Sequence, residues 1–166
     1  MTVRIIALAR IAISGVGIFL AFYRAFSDPP DSTGAIDLVV LLVAAPLGLL
    51  GFISHVLFHE SDARRLTGQQ VDPLFQYEVG YANLALCLVA LLVTLGNWHV
   101  AAKVAVTLVF GLYLVMAGLL HLARAARGTA GGTGPAALRI APSLVVGGMM
   151  LFFAWSAASG SGLSPF

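Results

Sequence analysis

"AIDLVVLLVAAPLGLLGFISHVLF", residues 35 to 58, carries one carboxylate, one hydroxyl and one imidazole in an otherwise apolar run. At about 1.5 Å per residue, a helix of this length reaches about 36 Å, enough to cross the roughly 30 Å hydrocarbon core of a bilayer. A soluble domain has no use for so long an uninterrupted apolar run, so this stretch predicts a transmembrane helix. Four more runs flank it: Ile5 to Tyr23, Phe75 to Leu95, Val100 to Leu122 and Ile140 to Ala158. Their punctuation is of the expected kind, with Ser27-Asp28-Pro29-Pro30-Asp31, a polar loop after Phe58, Gly96-Asn97, and the glycine-rich Gly128 to Pro135.

The fold class predicted is therefore an all-α membrane protein, one domain over residues 1 to 166 formed by a bundle of five transmembrane helices. Composition agrees: 60% of residues are hydrophobic and the mean hydropathy is +0.98, against an apolar share of about 45–50% in soluble domains. A transmembrane barrel needs alternating segments of about ten residues, and none are present. The few basic residues are scattered, which argues against a nucleic-acid partner.

Charge placement predicts orientation. With five spans, the N-terminus shares a side with the second and fourth loops. That side holds Arg4, Arg10, Arg64, Arg65, Arg124, Arg127 and Arg139, leaving Arg24 and Lys103 for the other. The positive-inside rule then puts the N-terminus in the cytoplasm and the C-terminus outside, in a bacterial inner membrane. The first run also has a small-x-small sequence at Ala25-Phe26-Ser27, but bulky Phe22 and Tyr23 and charged Arg24 precede it. It is read as a span, with a cleaved leader as the alternative.

Helices in lipid associate through close packing of small residues. Gly15, Gly17, Ala44, Ala45, Gly48, Gly51, Gly147 and Gly148 are the candidates, and Pro46 predicts a kink in the second span. Asp37 and Lys103 lie near the outer ends of their spans, where both can snorkel to the headgroups or pair with each other. Cys87 stands alone, so its expected role is packing.

Polar groups gather at the predicted cytoplasmic end. Counting along each span, His55, Glu78 and His121 fall at one depth, just beneath the headgroups, where an ionisable group still wants a partner. His55 and His59 are four apart, as on one helix face, and Tyr113, Ala117 and His121 form a stripe. Asp72-Pro73 reads as a helix start. Beyond it, Gln76, Gly80 and Asn83 share one face while Glu78 and Tyr81 lie on another, so both lines cannot point into one pocket. Glu60 to Gly68 reads as a short surface helix capped by Ser61, with Arg64 and Arg65 against anionic headgroups.

"GFISH" ending the second span, "FQYEVGYANLAL" opening the third and "AGLLH" ending the fourth together resemble a family of small bacterial integral membrane proteins of unknown function. Its pattern has a histidine after a glycine at a helix end, a Phe-Gln-x-Glu-Val-Gly-x-Ala-Asn-Leu run and a later helix ending in histidine. The matching residues are His55, Phe75, Gln76, Glu78, Gly80, Asn83 and His121, within about residues 48 to 122. Leu66-Thr67-Gly68-Gln69 replaces an Ile-Gly-Trp-like stretch of the pattern, and His59 is additional. The resemblance implies a shared polar site and leaves its activity open.

Three readings follow. A binding site for a small amphipathic molecule, a quinone or a lipid headgroup, has His55, His59, Glu78 and His121 as candidate ligands and Gln76, Tyr81, Asn83 and Arg124 in support. The same four residues are candidates for a metal site with zinc or iron, or for haem ligation, with redox or hydrolytic chemistry. Alternatively the polar groups only fix helix register in an accessory or scaffold subunit, as a homo-oligomer or within a larger membrane complex. No residue is assigned a catalytic role: HExxH and Glu-x-x-His arrangements are absent.

Overall fold

Asp31 fixes where the second long helix begins. Its carboxylate accepts the Gly34 N–H at 2.7 Å and pairs with Arg24 at 2.7 Å, satisfying a backbone donor that the first turn leaves without a partner. The Gly34 bond, aided by the Arg24 charge, holds this carboxyl below its ordinary range against the opposing effect of burial. Asp72 caps a later helix in the same way, accepting from Leu74 N at 2.9 Å with Pro73 in the first turn.

The computed structural model describes residues 2–67, 72–128 and 137–161, and the regular elements among them are all helices. They are α1 (Thr2–Ala25), α2 (Ser32–Leu57), α3 (His59–Thr67), α4 (Pro73–Leu95), α5 (Val100–Ala126) and α6 (Ala137–Gly160). All but α3 are long and apolar enough to cross a membrane.

In α2, two stretches, Val40–Ala44 and Ile53–Leu57, are π-helical. The first explains how the chain meets Pro46, which lacks an N–H and pushes against the preceding turn. Ala45 N–H reaches back five residues to Val40 O, so one extra residue in the turn takes up the mismatch. The second holds His55 within it.

Burial divides the bundle by residue type along its length. Where α1 and α6 end, α2 and α5 begin and α4 finishes, the interior is mainly apolar, formed by Ala21, Ile36, Val39, Val40, Val43, Val93, Phe110, Met150 and Phe153, with Lys103 and Thr107 buried among them. Phe22 meets Phe153 edge-on, with ring centroids 4.8 Å apart. At the opposite end the buried positions are small or polar, among them Gly48, Gly51, Ser54, Asp62, Gln76, Gly80 and Asn83. From Arg4 to Ile13, α1 has no buried residue.

Close approach through glycine is realised at some expected positions only. Gly17 lies on Leu42 and Val43, Gly48 and Gly51 lie on Asn83, and Gly147 meets Gly111 across the α5–α6 contact. Gly15 and Gly148 face open space instead. Lys103 pairs with Asp37 at 2.6 Å, but its side chain is only 4% exposed. Of the two expectations for this lysine, pairing rather than snorkelling is realised: a buried Lys103 meets a partly exposed Asp37 and joins α2 to α5.

Candidate functional site

The break between α2 and α3 builds the polar end. Phe58 adopts φ −123° and ψ 27°, outside the helical region. The chain turns there, and α3 restarts at His59 with Asp62 N bonding Phe58 O at 2.9 Å. Two consequences follow. His55 and His59 do not share a helix face, because the four-residue spacing holds only within one helix. Asp62, read in sequence as part of a surface helix, is folded inward and fully buried, with Ala63 beside it.

His55 is the focus of these contacts. Its Nδ1 lies 2.7 Å from Gln76 Oε1 and 3.4 Å from Asp62 Oδ2. Both neighbours are acceptors, so Nδ1 is the donor nitrogen, and in the tautomer this selects Nε2 is the acceptor. The His55 side chain keeps 15% of its surface open. A carboxylate and an amide thus fix the tautomer and the ring plane of one imidazole, using α2, α3 and α4 together.

Gln76 reaches His55 because α4 comes close. Gly80, one turn along, has Val56 and His55 directly over its Cα, and a β-carbon there would lie 2.5 Å from Val56 Cγ2. Asn83 continues the same face, giving its side-chain N–H to Val79 O at 2.8 Å. Of the two polar lines on this helix, Gln76, Gly80 and Asn83 therefore face inward.

Glu78 and Tyr81 take the outer line. Both are exposed, and Tyr81 leans on Phe52 with ring centroids 5.9 Å apart. The expectation that Glu78 joins His55 is corrected by helical phase: the residue two beyond Gln76 points about 200° away. His59 sits apart as well, with its ring against Tyr77 at 5.4 Å and Nδ1 3.3 Å from Val56 O. His121 and Arg124 are half-buried and each engages a neighbour. Arg64 is exposed and pairs with Glu60 at 3.2 Å; the Arg65 side chain and the expected stop at Gly68 lie outside the described residues.

Among the described residues, no three histidine, cysteine, aspartate or glutamate side chains converge as a metal site requires. His55, His59 and Glu78 turn to different surroundings, so the expected four-residue ligand set is not assembled from them.

A family model matches residues 4–162, nearly the full length of the chain. The chain belongs to DUF6790, a family of unknown function. This match takes in all five long helices, well beyond residues 48 to 122 on which the sequence resemblance rests. No curated protein and no solved structure matches the chain. The DUF6790 assignment thus carries no activity with it, and the chemistry must be argued from the His55 environment.

Sequence reading missed Asp62. An acid seven residues beyond His55 gives no sign of returning to it, because neither glycine nor proline marks the turn at Phe58.

Proposed function

We propose that this protein binds a small amphipathic molecule, a quinone or a lipid headgroup, at His55 from the cytoplasmic leaflet of a bacterial inner membrane. The observation that carries this reading is the orientation of the imidazole: Gln76 and buried Asp62 occupy Nδ1, which leaves Nε2 to accept a hydrogen bond from a ligand head. A quinol hydroxyl or a headgroup hydroxyl supplies that donor, and an imidazole is suited to exchange its proton. The apolar tail then lies along the exposed apolar flank of the bundle.

Orientation rests on the seven arginines that share the N-terminal side. A cysteine placed at Asn97, in the α4–α5 turn, is expected to react with a membrane-impermeant maleimide added to intact cells. Labelling at Arg127→Cys and not at Asn97→Cys would reverse the topology.

Ligand binding is tested by native mass spectrometry on protein from phosphatidylcholine nanodiscs doped with ubiquinone or phosphatidylglycerol. The expected result is a retained adduct that His55→Ala abolishes and Glu78→Ala preserves, with both variants still helical. Equal retention by His55→Ala sinks the reading. Unfolding of His55→Ala in mild detergent supports the scaffold alternative, which has in its favour that the same histidine ties α2 to α4.

A further inference from the structure

We infer that Arg10 and Ser14 on α1 form a binding step for the anionic head of an amphiphile, a phosphodiester or a carboxylate. This rests on the ligand-binding reading above and narrows its substrate class to acidic lipids. The deciding feature is where the two residues sit. Along α1 the inward positions are Arg10, Ser14, Gly17 and Ala21, of which the last three are buried and Arg10 is half-buried, while Leu8, Ile11 and Val16 are exposed. These spacings of four, three and four residues trace one helix face. Arg10 is therefore turned toward the rest of the bundle, about 12 Å from Thr2 at 1.5 Å per residue. A cation held inward at that depth in a membrane helix marks a functional site by default.

Ser14 supplies the second observation. It is 1% exposed and its hydroxyl has no hydrogen-bond partner. A serine or threonine in a membrane helix commonly satisfies its hydroxyl on the carbonyl four residues back. Thr94, Thr107 and Ser161 each do so, at 2.9, 2.8 and 2.7 Å. Ser14 does not bond Arg10 O, so a buried donor is left one turn from a guanidinium on the same face. Buried donors of this kind are costly unless something accepts from them.

The chemistry of the pair selects the ligand. A guanidinium carries five N–H donors in a planar fork, so engaging one neighbour leaves donors over for an oxyanion. A hydroxyl beside it adds a further donor to the same acceptor oxygens. Position fits entry from the membrane: side chains on a helix lean toward its N-terminus, which carries the Arg10 head toward the polar end. Gly17 lies on Leu42 and Val43. Counting from that contact along antiparallel α1 and α2 puts Arg10 level with about Leu50, roughly 8 Å deeper than His55. Both groups thus belong to the end of the bundle where buried positions are small and polar.

The test uses the full chain in phosphatidylcholine nanodiscs carrying a minor fraction of phosphatidylglycerol, with oleate and inorganic phosphate as separate probes. Native mass spectrometry reads the retained anion. Arg10→Gln is expected to lower phosphatidylglycerol retention by about tenfold or more, Arg10→Lys to restore part of it, and Ser14→Ala to weaken it several-fold. Arg4→Gln, on the exposed face of the same helix, should leave retention unchanged. Oleate competing where phosphate does not assigns an acidic lipid; competition by inorganic phosphate alone assigns a free anion and overturns the lipid source. Unchanged retention in Arg10→Lys and Ser14→Ala overturns the inference even if Arg10→Gln fails to fold. If His55→Ala loses its ligand while the α1 variants keep theirs, this inference fails and the His55 site stands. The reverse pattern leaves the α1 site standing alone.

Discussion

His55, on α2, meets residues from two other helices at a single nitrogen. Gln76 Oε1 at 2.7 Å makes a full hydrogen bond, whereas Asp62 Oδ2 at 3.4 Å lies beyond the usual range. Geometry makes Gln76 the principal partner and Asp62 the electrostatic support. Interhelical hydrogen bonds in membrane proteins contribute about 0.6 kcal/mol on average and at most about 1.7. A double-mutant cycle with His55→Phe and Gln76→Leu, followed by unfolding in mixed micelles, should give a coupling of about 1 kcal/mol. A value within error of zero would show that the pair touches without stabilising, leaving Asp62 to orient the ring. Polarity had already marked His55 and Gln76 in sequence. Asp62 was hidden because burying it depends on the turn at Phe58, a backbone conformation that an ordinary phenylalanine does not announce.

Helix contacts show the same division between what composition signals and what packing decides. A glycine in a membrane span is a plausible contact, but its identity does not say which face meets a neighbour. Gly111 and Gly118 lie under Gly147 and Leu144, yet they were not among the expected contact positions, whereas Gly15 and Gly148 were expected and face open space. Phase alone did separate Gln76, Gly80 and Asn83 from Glu78 and Tyr81; choosing between the lines needed the fit of Gly48 and Gly51 against Asn83. Adjacent Gly147 and Gly148 give a direct test. A β-carbon at 147 would lie 2.8 Å from Gly111 O, a backbone atom that cannot swing aside, while one at 148 meets nothing within 4 Å. Gly147→Ala should therefore cost about 1–3 kcal/mol through forced separation of α5 and α6. Gly148→Ala should be neutral or stabilising by up to about 1 kcal/mol through helix propensity. Equal effects in a micelle unfolding assay would mean that the two helices do not cross at this glycine.

Across the whole molecule, the two ends differ in what holds them. At one end Val39, Val40, Val43, Phe110, Met150 and Phe153 are fully or almost fully buried, giving many dispersion contacts that are lost together if any helix moves. At the other, α1 from Arg4 to Ile13 has no fully buried residue, and α3 is anchored through Asp62 and Ala63. Five helices long and apolar enough to cross a membrane were legible in sequence, because such a helix is recognised by length and apolarity alone. This asymmetry was not, since it depends on which side chains meet across helices. A ligand that enters sideways needs an end that can open, and regions that move in binding come from the low-stability part of a fold. Hydrogen exchange in nanodiscs should therefore find α3 and the first half of α1 fastest, and Val39–Ala45 and Met150–Ala158 slowest, beyond the difference that lipid burial alone gives to Leu88, Val89 and Leu92 on the exposed face of α4. Adding the retained amphiphile should slow exchange in α3 and around Arg10 while leaving the apolar end unchanged. If α3 exchanges as slowly as Val39–Ala45 before any ligand is added, the polar end is as rigid as the apolar one. Entry through it would then require the bundle to unpack, which the His55 site cannot tolerate.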